Sequence, residues 1–164
     1  MLTAEPQRKG FAVKAVHRRF RIVGAGPTGA LLALGLARQG FSVVLHDRLS
    51  AELLLNRSRA YAITHSSRRL LQDLDLWAAL LDQMQPFRAL RLDDCSAQRT
   101  AWFHVDDLRS GNRSSEAIGW ILDHRPLMSL LLEQLQRSDH VVLQLGDASS
   151  AEDVLAKAST SEWI

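Results

Sequence analysis

The chain has 164 residues, 46% of them apolar and 23% charged, so it can bury the core of one domain without disulfide or metal support. This balance excludes disordered, collagen-like and coiled-coil chains, and no run approaches the 18 apolar residues of a membrane-spanning helix. A net charge of +2 does not favour a nucleic-acid-binding face. The single cysteine, Cys95, cannot form an internal disulfide, which favours a reducing, cytoplasmic location.

The basic residues are concentrated at the start of the chain, where residues 1–21 contain six lysines and arginines but one acid, Glu5. Such a segment suits a targeting sequence, a tether for peripheral contact with an anionic membrane, or a solvated leader. Lys14 interrupts the apolar stretch that a secretory signal requires. We therefore interpret residues 1–19 as a disordered basic leader.

The first ordered elements form a predicted β-α-β unit. Residues 20–23 are a short apolar strand, residues 27–39 an apolar helix that Gly40 ends, and residues 41–46 a second strand. Because the strands are continuously apolar, they predict a parallel sheet covered on both faces. The fold class is therefore α/β and Rossmann-like.

The later elements follow from changes of hydrophobic period. A polar loop is predicted over 48–63, followed by a helix over 66–81 whose buried stripe consists of Leu70, Leu71, Leu74, Trp77 and Leu81. A β-hairpin over 89–105 and a strand over 119–122 come next. The chain then continues with a helix beginning at Pro126, a buried strand over 141–145 and a short helix over 149–158.

The segment from Gly24 to Gly29 carries the strongest functional signal, because a G-x-G-x-x-G motif lies between a strand and a helix. Gly24 allows the tight turn, Gly26 lets a pyrophosphate approach the backbone, and Gly29 lets helix and strand pack closely. Asp47 ends the second strand, where a carboxylate accepts hydrogen bonds from a ribose and repels the 2′-phosphate of NADP. Arg48, next to it, leaves that exclusion open. The motif alone does not separate FAD from NAD.

Three blocks resemble one family. They are Gly24 to Arg48 (GAGPTGALLALGLARQGFSVVLHDR), the stretch from Arg59-Ala60-Tyr61 through a serine to Leu74-Asp75-Leu76-Trp77, and Gly119-Trp120-Ile121-Leu122 followed by Arg125, Leu127 and Leu131. In this order they resemble the aromatic-ring flavoprotein monooxygenases of the para-hydroxybenzoate hydroxylase fold, and especially the ubiquinone-biosynthesis hydroxylases. Asp75 stands where the family has glycine.

The resemblance implies a cofactor and its ligands. The cofactor would be FAD, bound by Gly24, Ala25, Gly26, Pro27, Thr28, Gly29, Asp47, Arg48, Arg59 and Arg125, with Arg57 as the alternative to Arg59. A guanidinium suits a diphosphate because it forms bidentate, charge-assisted bonds. The complete enzyme would use NAD(P)H and O₂ to hydroxylate a small aromatic substrate, such as a ubiquinone precursor. None of the residues in this chain is predicted to act as a catalytic acid, base or nucleophile.

The resemblance also implies an incomplete fold, because family members are longer and continue into Asp-Gly and Gly-Asp motifs. We expect residues 20–86 to form the FAD-binding β-α-β unit and its following helix. Residues 87–122 would form part of a substrate-side sheet, residues 123–146 the return helix and strand, and residues 147–164 a divergent tail. The first strand would lack a neighbour at one edge, so we expect self-association or a complementing C-terminal fragment.

Other candidate residues are weaker. His104, Asp106 and Asp107 lack a spacing that brings metal ligands together, so no metal site is predicted. The four tryptophans are better explained as packing residues than as stacking platforms for nucleic acid. Two alternative functions stay open: another NAD(P)- or FAD-dependent oxidoreductase fragment, and a non-catalytic remnant that binds a nucleotide or a partner.

Overall fold

The computed structural model describes residues 19–108, 116–146, 149 and 153. The leader was predicted over 1–19; its residues 1–18 lie outside this part of the chain, and Arg19 corrects the boundary because it begins the first strand. All but two residues of the tail after Gly146 also lie outside the described residues. The strands are β1 (Arg19–Val23), β2 (Ser42–Asp47), β3 (Ala60–Ile63), β4 (Met84–Phe87), β5 (Ala89–Asp94), β6 (Arg99–His104), β7 (Gly119–Asp123) and β8 (Val141–Leu145). The helices are α1 (Pro27–Arg38), α2 (Ala51–Leu55), α3 (His65–Asp73), α4 (Trp77–Leu80) and α5 (His124–Gln136).

A parallel sheet forms the base of the predicted nucleotide-binding unit, in the order β1-β2-β8. Side chains alternate along each strand, so Ile22, Val43 and Leu45 share the face that packs beneath α1 and α5. The opposite face is less covered, since Val142 is 56% exposed. The parallel sheet is confirmed, but the prediction that both its faces are covered is wrong for the described residues.

The strand β1 lies at an edge of this sheet, because β2 is its neighbour and the described residues supply no strand on its other side. Along that edge, β1 therefore has no strand partner among the described residues, and such an edge can pair with another strand.

The second sheet is antiparallel, in the order β3-β7-β4. The prediction of a loop over 48–63 is wrong, because this segment contains the helix α2 and the strand β3. Ser50 begins α2 by accepting a hydrogen bond from the N–H of Leu53 through its side chain. The hydrophobic periodicity of α2 and β3 is difficult to recognise in the sequence, because both elements are short and polar residues surround them.

The hairpin predicted over 89–105 is present as β5 and β6, which form a two-stranded sheet of their own. Every residue of the two strands is exposed. The strand β7, grouped with this hairpin by the sequence analysis, pairs instead with β3 and β4.

The helix predicted over 66–81 is broken at Asp75. Asp75 has a φ of +50°, in the left-handed region that ends a helix, and α4 begins two residues later. The predicted buried stripe is also partly wrong, because Leu70 and Leu81 are 45% and 47% exposed. Arg38 secures the broken segment by donating to the carbonyls of Asp73 and Leu74 and pairing with the Asp75 carboxylate at 2.7 Å.

The last helix, α5, begins at His124, so Pro126 is its third residue and not its first as predicted. Its buried side is formed by Leu127, Met128, Leu131 and Leu135. These side chains join those of α1 and the parallel sheet in one core. Among the described residues, no helix is both long and apolar enough to cross a membrane.

Candidate functional site

The glycine segment forms the turn between β1 and α1. Gly24 has a φ of +103°, which side-chain-bearing residues rarely adopt, and its N–H donates to the carbonyl of His46 at 2.7 Å. A Cβ on Gly29 would lie 1.9 Å from the carbonyl oxygen of Gly24. The first and last glycines therefore hold the start of α1 directly against the turn.

The amides of this turn divide into two groups. Gly24 and Ala25 donate to the end of β2, and Pro27 has no N–H to offer. Within the described residues, the N–H groups of Gly26, Thr28 and Gly29 have no protein acceptor, and helical bonding begins with the N–H of Ala30 to the carbonyl of Gly26. Three free donors thus stand at the positive end of a 12-residue helix, an arrangement that favours an anion.

The space in front of this turn is open. A Cβ built on Gly26 meets no other atom within 4 Å. A diphosphate can therefore approach the main chain at Gly26, and the residues present fit the pyrophosphate of a dinucleotide such as FAD.

Asp47, at the end of β2, uses both carboxylate oxygens to hold the surrounding backbone. One oxygen accepts a hydrogen bond from the N–H of Ala25 at 2.7 Å, and the other accepts from the N–H of Leu49 at 2.9 Å. Each oxygen retains a second acceptor position, so a ribose hydroxyl can still bind there. Arg48, the next residue, is exposed.

Topology brings the beginning of α5 to the same edge of the sheet as the glycine turn. The helix α1 leads into β2 and α5 leads into β8, and these two strands are parallel. Each helix must therefore run antiparallel to its strand and begin at the carboxyl edge. The N–H of Gly146 closes this edge by donating to the carbonyls of Asp47 and Leu49, each at 3.0 Å.

A backbone hydrogen bond brings the segment that contains Arg59 next to the segment that contains Arg125. The carbonyl of Arg59 accepts a 2.8 Å hydrogen bond from the N–H of His124, the residue before Arg125. Both arginines and Arg57 are exposed. Within the described residues, their guanidinium groups form no hydrogen bond or ion pair. Arg125 also lines an open groove of about 390 Å³ between α4 and α5.

His124 and Tyr61 are the residues of this region that the sequence analysis missed. His124 is 2% exposed, its Nδ1 lies 2.7 Å from the Tyr61 hydroxyl, and its Nε2 lies 2.6 Å from the carbonyl oxygen of Leu54. A lone histidine beside an arginine carries no periodic signal. The network joins His124 to residues 63 and 70 positions earlier in the chain, so it is visible only in the folded structure.

One pair of the weaker candidates has a structural role. The Asp107 carboxylate accepts from the N–H of His104 at 2.7 Å and so caps a short 3-10 turn. Among the described residues, no three histidines, cysteines or acids are grouped as metal ligands. Trp77 and Trp120 are buried against each other with ring centroids 5.0 Å apart, as expected of packing residues. The same prediction is wrong for Trp102, which lies on β6 and is 55% exposed, and Trp163 lies outside the described residues.

Comparison with known proteins identifies related sequences. Ubiquinone hydroxylase UbiM of Neisseria meningitidis is 26% identical over 137 residues, which cover 81% of this chain and 29% of that protein. Ubiquinone hydroxylase UbiL of Rhodospirillum rubrum is 31% identical over 119 residues, which cover 71% of this chain and 26% of that protein. The chain thus spans less than a third of either relative.

Solved structures show the same fold. PqsL of Pseudomonas aeruginosa, described as a probable FAD-dependent monooxygenase, matches with a TM-score of 0.59 and 19% identity over 84% of this chain and 36% of its own. The flavin-dependent monooxygenase PieE, solved with FAD and substrate, matches with a TM-score of 0.59 and 22% identity over 78% of this chain and 24% of its own. A protein-family model described as "FAD binding domain" matches residues 19–112, more than half of the sequence. With its glycine turn inside that range, the chain belongs to the FAD binding domain family.

Proposed function

We propose that this chain supplies the N-terminal, FAD-binding part of a flavin-dependent monooxygenase that hydroxylates an aromatic compound. The observation that carries the proposal is the glycine turn, with three free N–H groups at the start of α1 and open space at Gly26. The turn lies within the segment that matches the FAD binding domain family. An anion site on a β-α-β unit suits the diphosphate of FAD.

The residues that would hold FAD are those at the carboxyl edge of the sheet. We assign the diphosphate to the turn from Gly24 to Gly29, including Ala25, Pro27 and Thr28, and the ribose to Asp47. Arg48, Arg59 and Arg125 supply positive charge around the phosphates, since all three are exposed cations near that edge. These residues bind and orient the cofactor, and none of them serves as a catalytic acid or base.

The substrate class rests on the relatives. UbiM and UbiL are named ubiquinone hydroxylases, which favours a ubiquinone precursor as the aromatic substrate. FAD, when bound, supplies the redox chemistry that lets O₂ hydroxylate an aromatic ring, and NAD(P)H would be its reductant. The complete activity needs more protein than this chain contains, because the chain covers 36% of PqsL and less of the other proteins compared above.

The missing part would complete both halves of the fold. We propose that the exposed hairpin β5–β6 belongs to the substrate side, and that β7, which pairs with β3 and β4, belongs with the FAD-binding unit formed by the segments over 20–86 and 123–146. The available edge of β1 would pair with a complementing segment or with a second copy of the chain. The lone cysteine, Cys95, fits a cytoplasmic location.

Titration of the purified chain with FAD, NADH and NADPH tests this proposal. We expect saturable quenching of flavin fluorescence by FAD binding, with an affinity above that for either nicotinamide nucleotide by calorimetry. Riboflavin, which lacks both phosphates, should bind more weakly than FAD because the amides of the turn would have no anion to hold. Tighter binding of NADPH than of FAD, or no saturable FAD binding, would refute the proposal.

A further inference from the structure

We propose that His124 is a positioning residue that clamps both ends of the arginine loop, defined as residues 56–59, and thereby fixes Arg57 and Arg59 for the cofactor diphosphate. The inference rests on the proposed FAD-binding function and extends it to a residue that has no predicted role. His124 would not contact the cofactor itself. It would act through the arginines.

The clamp consists of three hydrogen bonds made by one residue. The Nε2 atom of His124 lies 2.6 Å from the carbonyl oxygen of Leu54, two residues before the loop. The main-chain N–H of His124 donates to the carbonyl of Arg59, the last residue of the loop, at 2.8 Å. The Nδ1 atom lies 2.7 Å from the hydroxyl of Tyr61, two residues after the loop. Both ends of the loop are therefore tied to the start of α5.

The partners of the ring select one tautomer of a neutral imidazole. A carbonyl oxygen only accepts, so Nε2 of His124 carries a hydrogen and donates to Leu54. In a neutral imidazole Nδ1 is then an acceptor, and the Tyr61 hydroxyl donates to it. A buried ring with two satisfied nitrogens joins two segments at once, which a side chain with one polar atom does not do.

The loop needs such a clamp because its arginines lack other restraints. Arg57 and Arg59 are exposed, and in the described part of the chain their guanidinium groups have no protein partner. An arginine loses rotamer and backbone freedom when it binds a phosphate, and a loop already fixed at both ends loses less. The clamp would therefore raise affinity for ligands that contain a diphosphate, without adding any contact to them.

The primary test is Tyr61→Phe, which removes one hydroxyl and keeps the ring that packs beside His124. We expect affinity for FAD, measured by fluorescence quenching, and for ADP, measured by calorimetry, to fall about three- to tenfold. Adenosine and riboflavin binding should stay unchanged because neither contains a phosphate. Deuterium exchange at the amides of residues 56–59 should become faster in the same variant.

Two controls separate the clamp from a general effect on folding. His65→Phe removes a comparable hydrogen bond, from Nε2 to the carbonyl of Ala117 at 2.9 Å, away from the arginine loop, and should leave FAD affinity unchanged. In an Arg57→Ala, Arg59→Ala background, Tyr61→Phe should have no further effect on FAD affinity, because the clamp acts through those arginines. His124→Gln should reproduce Tyr61→Phe wherever it folds.

The outcomes are distinct. If the wild-type chain does not bind FAD, the proposed function fails and the inference fails with it. If the wild-type chain binds FAD but Tyr61→Phe binds it equally well, His124 is a core residue only. An equal loss of affinity in the presence and absence of the two arginines would also overturn the clamp while leaving the FAD site intact.

Discussion

The carboxylate of Asp47 accepts a 2.7 Å hydrogen bond from the main-chain N–H of Ala25, which joins the end of β2 to the middle of the glycine turn. A second bond, from the N–H of Leu49, fixes the other carboxylate oxygen. Asp47 therefore holds the backbone of the anion site in place, in addition to any contact that it makes with a ribose. By holding the Ala25 amide, it leaves the amides of Gly26, Thr28 and Gly29 to face a ligand.

Replacing Asp47 by alanine should weaken FAD binding about ten- to a hundredfold, since hydrogen bonds to a charged group contribute roughly 1.5–3 kcal/mol. Asp47→Asn should lose less FAD affinity than Asp47→Ala, because its amide oxygen can still accept from one of the two main-chain N–H groups while its NH₂ group cannot accept from the other. Fluorescence titration measures both, and Asp73→Ala, on an exposed position of α3, is the control. Unchanged FAD affinity in Asp47→Ala would show that the turn keeps its shape without the carboxylate.

Gly29→Ala should destabilise the fold, because the added methyl group would lie 1.9 Å from the carbonyl oxygen of Gly24. Overpacking of this kind costs about 1–3 kcal/mol and sometimes more. Gly35→Ala, in the same helix, meets nothing within 4 Å and should stabilise the protein by about 0.5–1 kcal/mol. Urea denaturation compares the two variants directly. Equal midpoints would contradict the close approach of α1 to the turn.

Gly26→Ala should separate folding from binding. Its added methyl group meets no protein atom within 4 Å, and its backbone has a φ of −65°, which alanine adopts readily. We therefore expect an unchanged denaturation midpoint and a marked loss of FAD affinity, because the methyl group occupies the space that the diphosphate needs. Wild-type affinity for FAD in this variant would show that the diphosphate does not bind at Gly26.

Arg59→Ala and Arg125→Ala should each lower FAD affinity about tenfold while leaving riboflavin binding unchanged, since a charge-assisted bond to phosphate is lost. Arg137→Ala is the matched control, because Arg137 lies past the other end of α5 and pairs with Glu133. Calorimetry with FAD and riboflavin gives the comparison. If only one arginine variant loses affinity, the assignment of the other is removed.

The isolated chain should self-associate, since β1 presents an open edge of main-chain groups and β5–β6 carries exposed Leu92, Trp102 and Phe103. Analytical ultracentrifugation should show concentration-dependent oligomers, and thermal unfolding should be broad. Addition of a fragment covering the remainder of a longer relative should reduce the association. A monodisperse monomer with one sharp calorimetric transition would contradict this prediction.

Local sequence was sufficient for the β-α-β unit, because its signals are carried by neighbouring residues. The apolar runs of β1 and β2, the glycine spacing and the helix between them predict both the elements and the turn. The hairpin β5–β6 was predictable for the same reason, since its alternation is a property of adjacent positions. The break between α3 and α4 was partly predictable, because Asp75 stands where the family has glycine. In the structure Asp75 adopts a φ of +50°, a conformation that glycine adopts readily.

The sequence by itself determined the α/β class, the glycine turn and the cofactor class that the turn suits. Only the tertiary structure decided which amides of the turn remain free, because that depends on Asp47 reaching Ala25, 22 positions earlier. It also decided that His124 joins Leu54 to Tyr61, and that β7 pairs with β3 and β4 rather than with the hairpin. The physical reason is the same in each case: such contacts depend on distances between chain segments, and periodicity reports only on residues within one segment.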